Sequence, residues 1–69
     1  MDIPTKIRAA CGAFRVSEAE LARRIGTSPS AFNQRMKTGK FTSAELEKIA
    51  AALGSEFVYF FQFPDGTKI

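Results

Sequence analysis

The sequence contains no histidine and only one cysteine, Cys11. A chain without histidine lacks the commonest zinc ligand and the commonest general base, and one cysteine cannot form an internal disulfide. No paired carboxylates in a catalytic arrangement and no phosphate-binding glycine loop are present. These absences predict that the protein is not an enzyme, binds no metal or cofactor, and works in a reducing, intracellular setting.

Long hydrophobic runs are also missing, and the first residues do not form a signal-peptide pattern. We therefore expect a cytoplasmic protein without a membrane segment. The 69 residues allow one small domain, and a hydrophobic content of 45% is typical of a folded chain. A chain this short has no room for a separate sensor domain, so we expect no small-molecule ligand.

The net charge of +3 is unevenly distributed along the chain. Residues 15–40 contain six Lys or Arg against two Glu, whereas residues 41–69 contain two Lys against four acidic residues. Positive charge concentrated in one segment favours a polyanionic partner such as nucleic acid.

Two short helices joined by a tight turn are predicted at the centre of the chain. Ser17 can cap the first helix, with Glu20 completing a capping box, and Gly26 can end it. Ser28 can cap the second helix, with Pro29 at its first position. This order of helix, short turn and capped helix is that of the DNA-binding helix-turn-helix.

The second helix, predicted over 29–38, has one apolar and one polar side. Phe32 and Met36 point one way, and the other side is an i, i+3, i+4, i+7 stripe formed by Ser30, Asn33, Gln34 and Lys37. Hydroxyls and amides can read base edges in a major groove, where Asn and Gln pair with adenine. An ordinary solvated face is the alternative for this stripe.

The central segment resembles the helix-turn-helix of the phage Cro and lambda-repressor family. The residues that carry the resemblance are Ala22, Gly26, Phe32 and the stretch 30–34, followed by Met36 and Gly39-Lys40. The resemblance implies that residues at four positions read bases: Pro29, Ser30, Asn33 and Gln34. It also implies phosphate contacts by Ser28 and Lys40. The predicted DNA-binding set is Ser28, Pro29, Ser30, Asn33, Gln34, Lys37, Thr38 and Lys40.

Two residues depart from the family pattern. Pro29 has no polar side chain and can offer only apolar contact, and the carboxylate of Glu18 replaces an amide that grips a phosphate in relatives. The resemblance implies a mostly α, lambda-repressor-like helix-turn-helix domain of four to five helices over residues 1–55.

The flanking segments predict further helices. Residues 1–14 form a first helix capped by Asp2, with Cys11 on its buried side. Thr42 and Glu45 form a second capping box at the start of a fourth helix, which Gly54 ends. Arg23 and Arg24 are either surface charge or contacts to the DNA backbone, and Arg35 lies at the margin of the buried face with its head in water.

The last segment, residues 56–69, changes to a β pattern. A strand is predicted over 56–63, followed by a turn at 64–66 and a possible return, so that the segment is a strand or short hairpin. A strand that is apolar on both faces needs two coverings, and one helical domain supplies one. The predicted dimerisation residues are Phe57, Val58, Tyr59, Phe60, Phe61 and Phe63. A strand that only packs locally is the alternative.

The leading functional hypothesis is a sequence-specific double-stranded DNA-binding regulator, a small Cro-like repressor of phage, prophage or bacterial type. As a homodimer it would read a palindromic operator in successive major grooves. The alternative is a protein-binding module, such as an antitoxin or phage adaptor, because fold alone does not decide function.

Overall fold

The computed structural model describes residues 2–69 and is mostly α-helical, as predicted. Its described helices are α1 (Ile3–Phe14), α2 (Glu18–Arg24), α3 (Pro29–Thr38) and α4 (Ser43–Ala52). Met1, which the predicted first helix included, lies outside the described residues. Within residues 2–69, none of the helices is long and apolar enough to span a membrane.

Each helix begins at a side chain that accepts a hydrogen bond from the backbone N–H three residues later. The four N-cap residues are Asp2, Ser17, Ser28 and Thr42. At Thr42 the capping box is complete, because the Thr42 N–H also donates to Glu45 Oε1 at 2.8 Å. At Ser17 only half of the predicted box forms, since the carboxylate of Glu20 turns to Arg23 and Arg24 instead.

The core is assembled around α2, which contacts each of the other three helices. Leu21 and Ala22 on α2 are fully buried. Around them pack residues from α1, α3 and the end of α4: Ile7, Cys11, Phe32, Met36, Ile49 and Leu53. Because α3 contributes Phe32 and Met36 to this cluster, its rotation about its own axis is fixed by the core.

Glycines in left-handed backbone conformations lie just after the ends of α2 and α3. Gly26 follows α2 with φ +81°, and Gly39 caps α3 with φ +69°. Both conformations suit glycine, which has no Cβ to clash with the neighbouring carbonyl. The connection between α2 and α3 spans residues 25–28, because α2 already ends at Arg24, and α3 starts from its N-cap Ser28.

The C-terminal segment does not form the strand predicted over 56–63. Among the described residues, its only β pairing is an isolated antiparallel bridge between Gln62 and Lys68. Residues 61–69 double back through a turn, with the Phe63 N–H donating to Thr67 O at 2.8 Å. A strand needs a partner along its length, and within residues 2–69 the return pairs only with residues 61–63.

Candidate nucleic-acid interface

The orientation of α3 is set by its cap and by its buried side. The Ala31 N–H donates to Ser28 Oγ at 3.1 Å, and Pro29 occupies the first helical position. Phe32 is 3% exposed and Met36 is 2% exposed. Since these two side chains are held in the core, the opposite side of α3 must face outward.

The α3 polar face, which we define as Ser30, Asn33, Gln34 and Lys37, lies on that outward side. All four residues are exposed, as the stripe predicts. Within residues 2–69, none of their side chains forms an intramolecular hydrogen bond or ion pair. At 1.5 Å per residue the face extends for about 10 Å along the helix, or roughly three base-pair steps. Its donors and acceptors are therefore available to an external partner.

The other four predicted DNA-binding residues lie at the two ends of α3 and are also exposed: Ser28, Pro29, Thr38 and Lys40. Two of their hydroxyls already have local partners. Ser28 Oγ serves as the N-cap, and Thr38 Oγ1 donates to Arg35 O at 3.0 Å. The structure therefore brings all eight predicted residues to one helix and its ends, but it leaves these two hydroxyls only partly free.

The arginines of α2 are committed to contacts within the chain. Arg23 Nε lies 3.3 Å from Glu20, and Arg24 Nε lies 3.6 Å from the same carboxylate. Arg24 Nη1 also donates to Ala52 O at 3.1 Å, which ties the end of α4 to α2. The predicted alternatives for these arginines were solvated surface charge and contacts to the DNA backbone. The hydrogen bond from Arg24 to Ala52 O was not predicted, because the two residues are 28 positions apart in the sequence.

Glu18 also has a partner of opposite charge. Arg8 Nε on α1 lies 3.9 Å from Glu18 Oε2. An unpaired carboxylate at the start of α2 would repel a phosphate. The positive charge of Arg8 beside Glu18 weakens that repulsion. Because this ion pair is exposed, we assign it little weight in stability.

Positive charge without a local partner lies instead near the C-terminal end of α3. Lys37 and Lys40 are exposed, and neither forms an ion pair with another residue in the described range 2–69. A cation of this kind can neutralise a phosphate without first breaking an intramolecular pair. Lys37, the last member of the α3 polar face, and Lys40 thus give the C-terminal end of that face a positive charge.

The loop after α3 is held by a cluster centred on Arg35. Arg35 Nε and Nη2 donate to Lys40 O at 3.2 and 2.7 Å, and Nη2 also donates to Glu45 Oε1 at 2.6 Å. The guanidinium carbon lies 5.3 Å from the centre of the half-buried Phe41 ring. Arg35 therefore fixes the backbone of Lys40 and does not belong to the α3 polar face.

The carboxylate of Glu45 is strongly affected by this cluster. The hydrogen bond from Arg35, followed by that from the Thr42 backbone, lowers the pKa of Glu45 from 4.5 to about 2. A pattern in the sequence suggested the capping box, but it did not show that the same carboxylate also binds Arg35. That contact joins α3 to α4 across the loop.

Acid should therefore weaken the fold through Glu45. A carboxylate whose pKa is lower in the folded than in the unfolded state stabilises the fold fully above its unfolded value, near 4.5, and progressively less as the pH falls toward about 2. We expect Glu45→Gln to be less stable than the parent at pH 7 and to approach it in that acid range. The measurement is the free energy of urea unfolding for both proteins between pH 2 and pH 7.

A matched control is Glu56→Gln, at an exposed position for which the structure shows no side-chain hydrogen bond or ion pair among residues 2–69. Its free energy of unfolding should stay close to that of the parent at pH 7, because the substitution removes no side-chain hydrogen bond or ion pair. A pH-independent difference for Glu45→Gln would contradict the assigned role of the cluster.

The predicted dimerisation residues are largely exposed at the other end of the chain. Phe57 is half-buried, whereas Val58 is 69% and Phe61 is 77% exposed, and the remaining members, Tyr59, Phe60 and Phe63, are exposed too. We call residues 56–63 the aromatic tail. Tyr59 OH donates to Glu47 Oε1 at 3.0 Å, which raises the pKa of Tyr59 and holds the start of the tail on α4.

Comparisons of the chain with protein-family models, with curated proteins and with solved structures found no match. The function of the α3 polar face is therefore inferred from its own side chains, their exposure and the charges around them.

Proposed function

We propose that the protein is a sequence-specific double-stranded DNA-binding regulator of the Cro and lambda-repressor type. In this proposal α2, the turn at Gly26 and α3 form a helix-turn-helix, and α3 enters the major groove. The observation that carries the proposal is the α3 polar face, whose four residues are exposed and whose side chains have no partner within residues 2–69. Amides and hydroxyls on a helix fixed from behind by Phe32 and Met36 suit base edges.

The distribution of free charge supports the same proposal. Lys37 is the C-terminal member of the polar face and Lys40 follows it, so both can reach phosphates while the amides reach bases. The Arg35 cluster holds the Lys40 backbone in place by two hydrogen bonds to its carbonyl. A phosphate contact from a fixed loop loses less conformational entropy than one from a mobile loop.

A protein-binding module remains the second candidate, and the aromatic tail favours it. Exposed aromatic side chains are typical anchors of protein interfaces, and the tail supplies four: Tyr59, Phe60, Phe61 and Phe63. We assign this surface to a second copy of the chain, since a homodimer would present two α3 helices to a palindromic operator.

Selection of bound sites from random duplex DNA tests the proposal directly. A palindromic consensus with half-sites about one helical turn apart is the expected result. Recovery of no sequence above the unselected pool would contradict DNA recognition and would favour the protein-binding module.

Alanine substitutions should then separate base reading from phosphate binding. Asn33→Ala and Gln34→Ala should each lower affinity for the selected site by about 1–3 kcal/mol and relax the preference at particular base pairs. Lys37→Ala and Lys40→Ala should instead weaken binding to every duplex and reduce the salt dependence by about one unit each. Titrations at several salt concentrations, on the selected and a scrambled duplex, measure both effects.

Lys6→Ala is the matched control for the lysine variants. Lys6 is exposed, but it borders the groove between α1 and α4 and lies off α3. Its removal should leave the salt dependence near that of the parent. An unchanged consensus after Asn33→Ala and Gln34→Ala would show that α3 does not read bases.

A further inference from the structure

We infer that the base-reading part of α3 is specific for adenine, so that Asn33 and Gln34 read A·T pairs in each half-site. This inference rests on the proposed function and adds the identity of the bases. In the major groove adenine presents an acceptor at N7 and a donor at N6, whereas guanine presents two acceptors. A carboxamide, with one acceptor and one donor group, matches adenine. An arginine or lysine, which only donates, matches guanine.

The structure leaves carboxamides as the main readers on the exposed side of α3. Asn33 and Gln34 are exposed, and neither side chain has a hydrogen-bond partner within residues 2–69. Being adjacent on a helix, they lie about 1.5 Å apart along its axis and about 100° apart around it. They can therefore address neighbouring base pairs.

No free guanidinium lies among the described side chains of α3. Arg35 is the one arginine on this helix, and its guanidinium is occupied by Lys40 O and Glu45 Oε1. On α2, Arg23 and Arg24 are both paired with Glu20. The guanidinium groups that could read guanine bidentately thus already have partners within the chain.

Lys37, a member of the polar face, and Lys40 beside it both lie outside the N-terminal half of that face. Lys37 lies in the last turn of α3, and Lys40 lies beyond the Gly39 cap. In helix-turn-helix docking the N-terminal part of the second helix contacts base edges. The residues in that part of α3 are Pro29 and Ser30. The Ser30 hydroxyl can hydrogen-bond to adenine or to guanine, and the Pro29 ring can contact a thymine methyl group.

The test starts from the site obtained by selection and removes one base atom at a time. In 7-deazaadenine the N7 acceptor is lost while Watson–Crick pairing is kept. Placing it at each half-site adenine in turn should weaken binding about tenfold at two positions. That sensitivity should disappear at one position in Asn33→Ala and at the other in Gln34→Ala, because the amide that uses N7 is already gone.

A second test replaces an amide by a lysine and measures whether the preferred base changes. Gln34→Lys should change the preferred base at the Gln34 position from adenine to guanine, because the lysine donates to both guanine acceptors. Lys6→Ala serves again as the unaffected control. Gln34 is exposed, so this variant should unfold like the parent.

The outcomes separate this inference from the proposed function. A consensus with G·C pairs at the positions that respond to Asn33 and Gln34 would overturn the adenine assignment and leave sequence-specific DNA binding intact. A·T pairs that tolerate 7-deazaadenine would also overturn it, because recognition would then act through DNA shape. Failure to select any duplex would overturn both.

Discussion

Replacing Phe32 by alanine is expected to destabilise the domain by about 3–5 kcal/mol. The Phe32 side chain is 3% exposed and belongs to the core cluster that joins all four described helices. Its ring centroid lies 6.3 Å from that of Phe41, so the substitution also removes support for the loop after α3. A 69-residue domain has a total stability of about 3–10 kcal/mol. We therefore expect Phe32→Ala to be largely unfolded at 37 °C.

Phe14→Ala is the matched control, because it removes the same side chain from an exposed position. Phe14 is 54% exposed at the end of α1, and its loss should change the free energy of unfolding by less than about 1 kcal/mol. Urea titrations at one fixed protein concentration compare the variants with the contribution from association held constant. If Phe32→Ala unfolded like the parent, α3 would be rotated, and its polar face would not be the outward one.

The helix boundaries were predictable because their signals are local. Ser28 and Thr42 cap α3 and α4 by hydrogen bonds to N–H groups three residues away, within the range that a sequence pattern covers. Gly39 ends α3 in the predicted left-handed conformation. The same local pattern at Ser17 was only half correct, since it carries no information on the competition of Arg23 and Arg24 for Glu20.

The contacts that position the candidate site were harder to predict. Arg35 reaches Glu45 ten residues later, and Arg24 reaches Ala52 O, so both contacts depend on how the helices pack. Periodicity placed Arg35 at the edge of the buried face, and the structure agrees, but it could not name the partner of the guanidinium. The exposure of Asn33 and Gln34 was predictable, because it follows from the burial of Phe32 and Met36 on the same helix.

The C-terminal segment was predicted as a strand or short hairpin from its composition. Within residues 2–69 the turn at 64–66 and a short return form, but the strand over 56–63 does not. Aromatic and β-branched residues favour strands, but a strand forms only where a partner lies alongside it. In residues 2–69 that partner is limited to the short return after Gly66, which pairs only with residues 61–63. Without a strand partner, most apolar side chains of the aromatic tail remain exposed to water.

Charged substitutions in the aromatic tail are expected to convert a dimer into a monomer. Five apolar side chains of the C-terminal segment are exposed: Val58, Phe60, Phe61, Phe63 and Ile69. Exposed apolar surface concentrated in one segment indicates an interaction surface, and we call these five side chains the apolar patch. The Cα radius of gyration is 13.2 Å, against about 11 Å for a compact domain of this length, so the tail extends away from the helical body. A second copy could cover the patch and pair with its free backbone edge.

Phe60→Lys and Phe61→Lys test the two faces of the tail, because successive side chains in an extended chain point to opposite sides. Sedimentation at micromolar concentration should show a dimer for the parent and for a Phe14→Lys control, and a monomer for at least one tail variant. Neither tail residue is buried, so the helical fold should survive both changes.

The monomeric variant should also bind the selected palindrome about a hundredfold or more weakly, because the second half-site no longer benefits from a linked partner. Its affinity for an isolated half-site should equal that of the parent chain, since the α3 polar face is untouched. A parent that sediments as a monomer, or tail variants that both remain dimeric, would place any dimer contact elsewhere. Half-site and full-site affinities together then separate the loss of pairing from damage to α3, because damage to α3 would lower both.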